Sequence, residues 1–295
     1  MIAVERGLKR TTRRLRPYLR RSPGARALRG AALTGLDSVA AALGRRDPLE
    51  PPRRLRGVGS GDFGAVGEAI LRQLVEIGGL RHDARALDIG CGIGRVAIPL
   101  TGYLTEGSYE GFDIAPDMIH WCQRTLSPRF PRFRFTLVDI ANSHYNPSGA
   151  LSADATTFPY PDQEFDFALA TSLFTHLLPS SFLNYVDELA RVLAPEGTFF
   201  GTFFLIDPET GARLEGSSAA LELPHRLRDA AAGAEYRAMD AATPETAVGL
   251  DRGFVIGALE RAGLTVTAVH PGAWSGRPDG CSYQDILLAR RSGAA

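Results

Sequence analysis

Apolar and polar positions follow two alternating patterns along most of the chain after residue 58. Apolar residues at helical spacing predict a helix over Ala65–Ile77, which Gly78 and Gly79 would end. The same patterns predict helices over 95–104, 116–126, 180–193 and 253–262, and strands over 86–89, 108–114, 133–140, 165–171, 198–206, 264–270 and 282–289. Strands that alternate with helices are typical of a parallel sheet with helices on both faces.

The end of the chain departs from this alternation. Leu264–His270 and Ser282–Ala289 are joined by a Gly- and Pro-rich loop without a helix. Such a connection makes a hairpin, so we expect the last strand to run antiparallel in a doubly wound α/β sheet of seven mostly parallel strands. Residues 207–250 are Ala-rich and are predicted as a helical insertion over the carboxyl edge of the sheet. Ser180 or Ser181 is expected to cap the helix that follows it.

Residues 1–57 differ in composition from the remainder. They hold 15 of the 33 Lys and Arg residues but only 4 of the 33 Asp and Glu residues, a net charge of +11 in a chain that is neutral as a whole. We expect a basic extension and linker over 1–57 and one domain over 58–295. Such an arm is typical of solvated chain and also of peripheral contact with an anionic membrane. No aromatic residues interleave with its charges in a way that indicates specific nucleic-acid binding.

Location can also be predicted from the composition. No run of about 18 apolar residues indicates a membrane span, and the first residues lack the apolar core of a signal peptide. Cys91, Cys122 and Cys281 are too few for a disulfide framework. We therefore expect a cytoplasmic protein, with peripheral attachment at the inner membrane face through the basic arm.

The segment ALDIGCGIGR carries the most specific chemical signal. Gly90, Gly92 and Gly94 follow a strand, where they allow a sharp turn and the close approach of a ligand. A dinucleotide site needs the spacing G-x-G-x-x-G, but position 95 is Arg95. Asp88 at the strand end would repel a pyrophosphate and would suit a cation. The pattern thus disfavours NAD, which is the rival ligand.

This segment resembles the first motif of class I S-adenosylmethionine (SAM) methyltransferases, which share a Rossmann-like fold. In that family the strand-ending acid meets the amino end of SAM, and the glycines line its methionine and ribose portions. The resemblance implies SAM as the cofactor and extends best over residues 58–206. It implies a cofactor cradle made by Asp88, Gly90, Cys91, Gly92 and Gly94.

The resemblance extends to the second and third strands. Asp113 ends the second strand, where the family binds the ribose hydroxyls, and Ile114 would pack on the adenine. Two acids compete for the adenine amino group. Asp139 directly follows the third strand, with Ile140 beside it, whereas Asp154 lies in DATTFPYPD, which is similar in wording to the family. Strand geometry favours Asp139.

The segment FDFALATSLFTHLLP resembles the fourth strand of the family and the loop after it. Thr171 would end that strand beneath SAM. His176 is the first candidate for a general base, since histidine titrates near neutral pH; the alternative is a hydrogen-bonded histidine that moves no proton. His225 is a distant second candidate. Asp207 and Glu209 follow the fifth strand, but two acids without a third ligand do not indicate a metal, so none is expected.

The main indication about the acceptor's chemical class is a motif that the sequence lacks. The motif N-P-P-aromatic, typical of amino-group methylation of nucleobases or glutamine, does not occur. A small-molecule acceptor is expected, namely a hydroxyl of a sugar, a lipid-linked intermediate or a natural product, faced by residues 145–147. The alternative is a non-catalytic SAM-fold interaction protein, which would be expected to lose the glycines or Asp113; neither is lost.

Overall fold

The computed structural model describes residues 31–37, 39, 42–44, 47–56, 61–143, 145–216, 227–229 and 235–293. The chain divides into two compact units, Met1–Phe63 and Gly64–Ala295. Within the first unit, residues 31–37 are helical and the backbone N–H of Arg53 donates to the buried carboxylate of Asp37 at 2.9 Å. Most of the basic extension lies outside the described residues. Among the helices of the described ranges, none is long and apolar enough to cross a bilayer.

From Phe63 onward, helices and strands alternate along most of the described chain. The helices are α1 (Phe63–Glu76), α2 (Ala97–Tyr103), α3 (Pro116–Thr125), α4 (Pro179–Val192), α5 (Pro208–Gly216) and α6 (Arg252–Arg261). The strands are β1 (Arg85–Ile89), β2 (Ser108–Asp113), β3 (Phe133–Leu137), β4 (Phe165–Ala170), β5 (Leu193–Phe203), β6 (Leu205–Ile206), β7 (Arg228–Asp229), β8 (Tyr236–Ala238), β9 (Val248–Asp251), β10 (Leu264–His270) and β11 (Asp285–Arg291).

The main sheet has seven strands in the order β10-β11-β5-β4-β1-β2-β3. Strand β11 is antiparallel to both of its neighbours, while the pairs among β1 to β5 are parallel. The predicted fold class and the antiparallel last strand are therefore confirmed. The strand order reverses at β1 and β4, and such a reversal opens a crevice at the carboxyl ends of the strands.

The predicted N-cap of helix α4 is wrong. The helix begins at Pro179, and neither Ser180 nor Ser181 caps it, because the N-cap position is Leu178 and makes no side-chain capping bond. Proline fits the first helical position, where its missing N–H costs nothing, so the helix starts before the serines. Helix α6 has the side-chain cap that α4 lacks, since Asp251 accepts from the Phe254 N–H at 2.8 Å.

The predicted helical insertion over 207–250 is wrong in its secondary structure. Within it, α5 is helical, but β7, β8 and β9 join β6 in a second sheet of order β6-β9-β8-β7. The predicted strand over 198–206 is also divided. Strand β5 starts at Leu193, runs through Pro195–Gly197 with Glu196 at φ +64°, and ends at Phe203. The chain then changes sheets at Phe204, and Leu205–Ile206 pairs with Leu250–Asp251.

An aromatic cluster fixes the loop after β4. Phe174 is 1% exposed and stacks on Phe203 of β5 at a centroid distance of 4.9 Å. Phe182 of α4 meets Phe174 edge-on at 5.2 Å. Burying a phenylalanine side chain stabilises a fold by about 1.5–3 kcal/mol. Because the 3-10 turn Phe174–His176 carries this anchor, core packing sets the position of His176.

Candidate functional site

The glycine-rich turn after β1 wraps over the end of β2. The N–H groups of Gly90 and Cys91 both donate to the Phe112 carbonyl, at 2.9 and 3.0 Å. Gly90, Gly92 and Gly94 have φ angles of +77°, +55° and +75°. These are left-handed conformations that side chains other than glycine rarely adopt, so the backbone itself requires glycine at all three positions.

The three glycines face different surroundings. A Cβ on Gly90 would lie 3.0 Å from Leu173 Cδ1, and a Cβ on Gly94 would lie 3.1 Å from Leu126 Cδ1. A Cβ on Gly92 would meet only Met118 Sδ, at 4.0 Å. Gly90 and Gly94 thus allow close packing of the protein, whereas Gly92 presents its α-carbon to open space where a ligand can approach.

Asp113 at the end of β2 is tied to the same turn. Its Oδ2 accepts from the Gly92 N–H at 2.8 Å, and its Oδ1 accepts from the Ala115 N–H at 2.9 Å. Burial raises the pKa of this carboxyl above its usual value, and the backbone N–H donors oppose that rise. Each carboxylate oxygen has a further lone pair, so the group can accept two more donors, such as a pair of vicinal hydroxyls.

Asp88 lies deeper, 1% exposed, at the end of β1. Tyr109 donates its hydroxyl to Oδ2 at 2.7 Å, while the buried Oδ1 accepts no hydrogen bond from the described residues. The pKa of Asp88 is raised to about 7, mainly by burial and also by the charge of Asp113, while the hydrogen bond from Tyr109 opposes the rise. A cationic donor beside this carboxylate would satisfy the orphaned oxygen. The site therefore fits a ligand that carries an ammonium group.

Gly111 makes the contact between Tyr109 and Asp88 sterically accessible. A Cβ at Gly111 would lie 2.9 Å from the Tyr109 hydroxyl oxygen and 2.9 Å from Cys91 Cβ. Register places Asp88 directly beside Gly111 in the parallel pair of β1 and β2. A side chain at Gly111 would thus displace the tyrosine that holds Asp88.

The other residues predicted for the cofactor site differ in how far they are buried. Cys91 is 6% exposed, and burial raises the pKa of its thiol well above its ordinary value, so it is not a reactive thiolate. Ile140 is 1% exposed and belongs to the main core, whereas Ile114 beside Asp113 is half-buried. Thr171 is half-buried directly after β4.

The two acids that compete for the adenine are both exposed. Asp139 follows β3 two residues after Leu137, the register partner of Asp113, and its Oδ1 accepts from Asn146 Nδ2 at 3.0 Å. Asp154 lies farther along the chain and accepts from the Ser152 hydroxyl. The structure brings Asp139 to the strand end that neighbours Asp113.

His176 belongs to a polar cluster above the carboxyl edge. Its Nδ1 lies 2.9 Å from the Glu245 carbonyl oxygen, and its Nε2 lies 3.3 Å from the Tyr145 hydroxyl. The Tyr145 and His176 rings meet edge-on at 5.1 Å. Burial raises the pKa of Tyr145, and the charge of Asp113 raises it further.

The acids after the fifth strand have structural partners. Asp207 accepts from the Thr210 N–H at 2.7 Å in the first turn of α5. Glu209 accepts from Arg213 at 2.9 Å and from Arg277 at 2.7 Å. Within the described part of the chain, no group of three or more His, Cys, Asp or Glu side chains is arranged to hold a metal. His225 lies outside the described residues.

A separate cleft of about 350 Å³ opens at the opposite, amino-terminal edge of the sheet. Its charged lining is ion-paired: Asp166 with Arg85 at 2.8 Å, and Glu196 with Arg290 at 3.1 Å. Gly79 in its lining is also open, but the cleft has no buried acid that lacks a partner among the described residues, so the candidate site is the carboxyl edge.

Comparison with known proteins agrees with this geometry. Residues 87–201 match the family model described as "Methyltransferase domain". A fatty-acid O-methyltransferase of Mycolicibacterium smegmatis is 32% identical over 118 residues, which are 40% of this chain and 36% of that protein. A demethylmenaquinone methyltransferase of Thermus thermophilus is 29% identical over 126 residues, 43% of this chain and 50% of that one. The matched stretch thus covers half or less of these relatives.

A solved structure extends the likeness to the whole fold. The PH0226 protein from Pyrococcus horikoshii has a TM-score of 0.52 at 18% identity, covering 81% of this chain and 95% of that one. Residues 87–201 are therefore similar to a methyltransferase domain, as the sequence motif predicts, and the solved structure shows the same fold.

Three residues of the site were not found from sequence. Tyr109 holds Asp88, and Asn142 and Glu245 hold the His176 cluster. The parallel register of β1 and β2 could have indicated Tyr109, because it lies two residues before Gly111 on the same face. No local pattern connects Asn142 with Glu245, which are 103 positions apart in the chain.

Proposed function

We propose that this protein transfers a methyl group from SAM to a hydroxyl of a small molecule. Two carboxylates on the neighbouring strands β1 and β2 carry the proposal. Asp88 has a buried oxygen without a partner among the described residues, and Asp113 accepts from the N–H of Gly92, whose α-carbon faces open space. Bound SAM supplies an electrophilic methyl group on a sulfonium. The protein then has to hold the acceptor oxygen in line with that methyl group.

The two carboxylates have separate roles in this proposal. Asp113 accepts hydrogen bonds from the ribose hydroxyls, and Asp88 attracts the ammonium group at the methionine end. Ile114 lies next to Asp113 and offers an apolar surface for the adenine. Gly90, Cys91, Gly94, Ile140 and Thr171 support this cradle, and no metal is needed for the reaction.

Asp139 is our choice for the adenine amino group. Its support is its place after β3, next to the strand that carries Asp113. Asp154 is the matched alternative, because it is also exposed and its motif is similar to the family wording. Calorimetric titration with SAM distinguishes them: Asp139→Asn should weaken binding and Asp154→Asn should not. The opposite result would transfer the role to Asp154.

His176 is the proposed general base for the acceptor hydroxyl. Support comes from its place in the loop after β4, half-buried, with the Nε2 face directed at Tyr145. An alcohol has to lose its proton as it is methylated, and a positioned base contributes about 10²–10⁴-fold to such a step.

Thermal unfolding with different ligands tests the cofactor assignment. SAM and its demethylated product should each raise the Tm of the full chain by about 5 °C or more at saturating concentration, since a ligand that binds only the folded state stabilises it. NAD should leave the Tm unchanged.

Asp113→Asn should abolish the shift, and Asp117→Asn, at an exposed acid in the first turn of α3, is the matched control that should keep it. A shift with NAD alone would favour a dinucleotide enzyme instead. Binding of SAM without methyl transfer to any hydroxyl acceptor would favour the non-catalytic SAM-fold alternative.

We further propose that the acceptor is presented at an anionic membrane surface. Support comes from the net charge of +11 over residues 1–57. Basic segments of this kind gain about 1 kcal/mol per Lys or Arg close to an anionic bilayer. No binding of specific nucleic acid is proposed.

A further inference from the structure

We propose that Tyr145 receives the proton of the acceptor hydroxyl and passes its own proton to His176, and that Glu245 is the positioning residue that holds this pair together. The inference rests on the proposed methyltransferase function. It adds to it two residues, Tyr145 and Glu245, and a requirement on the chemistry of the acceptor. It follows from five hydrogen bonds that connect one loop and one turn.

The first step is the tautomer of His176. A backbone carbonyl can only accept, so the 2.9 Å contact between Nδ1 and the Glu245 oxygen requires that Nδ1 carry the hydrogen. In the neutral ring this leaves Nε2 as an acceptor. Free histidine favours the other tautomer, so the Glu245 carbonyl orients the ring for proton uptake at Nε2.

The second step is the direction of the Tyr145 hydroxyl. Because Nε2 is an acceptor, the 3.3 Å contact is a donation from the Tyr145 O–H to His176. A phenol oxygen that donates its hydrogen can also accept a hydrogen bond through its lone pairs. Burial raises the pKa of Tyr145, and the charge of Asp113 raises it further, so formation of a phenolate is disfavoured. Tyr145 therefore relays a proton instead of storing a negative charge.

The third step is the clamp that Glu245 forms. While its carbonyl holds His176, its carboxylate accepts from Asn142 Nδ2 at 3.1 Å and from the Ser143 N–H at 2.7 Å. Asn142 is 6% exposed, and its Oδ1 accepts from the Tyr145 N–H at 2.9 Å. Glu245 thus connects the loop of Tyr145 to the turn of His176 from both ends.

The proton balance defines the acceptor class. As the acceptor oxygen bonds to the methyl carbon, the S–C bond breaks with its electron pair on sulfur, and the acceptor O–H proton moves to the Tyr145 oxygen. The Tyr145 proton moves to Nε2, which leaves a neutral tyrosine and an imidazolium. A neutral hydroxyl needs this relay, whereas a carboxylate acceptor is already ionised at neutral pH and does not. We therefore infer an alcohol or phenol acceptor.

Nitrogen NMR of the histidine rings tests the relay without an acceptor. The full chain is labelled with ¹⁵N-histidine, and His176 is assigned by the signal lost in His176→Gln. Neutral His176 should carry its hydrogen on Nδ1. Tyr145→Phe should move the Nε2 resonance and leave Nδ1 in place. Glu245→Ala should produce a mixture of tautomers, and Glu245→Gln, which keeps one acceptor oxygen, should restore part of the Nδ1–H form.

Glu260→Ala is the control, because Glu260 is an exposed glutamate of α6. The same measurement can overturn the proposal in two ways. Neutral His176 with its hydrogen on Nε2 would rule out the relay, and a Glu245→Ala spectrum identical to that of the wild type would remove Glu245 as the positioning residue. Circular dichroism checks that each variant is folded.

SAM calorimetry on the same samples separates this inference from the proposed function. Tyr145→Phe and Glu245→Ala should bind SAM within about twofold of the wild type, since the proposal gives neither residue a contact with SAM. Normal SAM binding with the wrong tautomer overturns the relay alone. Absence of SAM binding in the wild type overturns the proposed function, whatever the tautomer.

Discussion

At the scale of single residues, the two carboxylates of the site are held in opposite ways. Asp113 is tied by two backbone N–H groups, which fix its direction. Asp88 has one donor, Tyr109, and one buried oxygen without a partner among the described residues. The fixed carboxylate of Asp113 can accept hydrogen bonds from two neighbouring hydroxyls. The ionised form of Asp88 is unfavourable unless a cation lies beside it.

Asp88 predicts a pH dependence of SAM binding. In the free protein its pKa is about 7, raised mainly by burial, so it is largely protonated below that pH. The ammonium of SAM favours the ionised form, so the association constant should rise as pH increases from about 6 to about 8, with proton release on binding. Calorimetry in buffers of different ionisation enthalpy measures both.

The control for this prediction is Asp88→Asn. It should bind SAM more weakly, and its affinity should not vary over the same pH range. If wild-type affinity is constant across that range, the assignment of Asp88 to the ammonium group is wrong.

Substitutions at Gly92 and Gly94 should differ in their effects on SAM affinity and on stability. Gly92→Ala should weaken SAM binding by about tenfold or more, because the added Cβ occupies the open face of the turn. The left-handed φ angle should also cost about 1–2 kcal/mol in the free energy of unfolding. Gly94→Ala has the same backbone cost and in addition clashes with Leu126 and Cys122, so it should lose more stability.

Urea denaturation and SAM calorimetry on both variants measure the two effects. Equal losses of affinity in Gly92→Ala and Gly94→Ala, at equal stability, would show that Gly92 has no special contact with the cofactor.

At the scale of elements, one buried carboxylate attaches the second sheet to the last hairpin. Asp285 of β11 is 7% exposed. It accepts from the Leu205 N–H at 2.8 Å, the Gly272 N–H at 2.7 Å and the Trp274 ring N–H at 2.7 Å. These donors belong to the start of β6 and to the loop between β10 and β11. The acid thus fixes the base of the insertion that carries Glu245.

Asp285→Ala should lower the free energy of unfolding by about 2–3 kcal/mol, because three donors, two of them buried backbone N–H groups, lose their acceptor. The matched control is Asp166→Ala, which removes a half-exposed ion pair with Arg85 and should cost about 1 kcal/mol or less. Chemical denaturation of both variants measures the difference. Similar losses in the two variants would contradict the role given to Asp285.

Elements of eight or more residues with a clear period could be predicted from the sequence, as α1 and α4 illustrate. Strands β6 to β9 could not, because two to four residues are too short to show an alternation. The same limit applies to the site. Asp88, Gly92 and Asp113 follow from a local motif, whereas the contact of Asn142 with Glu245 depends on tertiary packing across the insertion.

At the scale of the whole molecule, the basic segment and the proposed cofactor site lie in different parts of the sequence. Residues 1–57 carry a net charge of +11, while the residues of the proposed site lie between 88 and 245. In the sequence, the boundary between the two compact units follows Phe63. Membrane attachment and cofactor binding should therefore be separable by truncation.

A chain that lacks residues 1–57 should bind SAM with unchanged affinity and should lose sedimentation with vesicles of anionic lipid. Binding of the full chain should fall as salt concentration rises, because exposed charges are screened. Vesicles of zwitterionic lipid are the control. Equal sedimentation of the full and truncated chains with anionic vesicles would contradict the membrane proposal. It would not affect the proposed methyltransferase function.

The central claim is that Asp113 and the Gly92 turn hold SAM, and calorimetric titration of SAM into the full chain tests it most directly. We expect saturable binding of one SAM per chain at about pH 8, with at least a tenfold loss of affinity in Asp113→Asn and none in Asp117→Asn. Absence of SAM binding to the wild type, or equal affinity in Asp113→Asn, would contradict it.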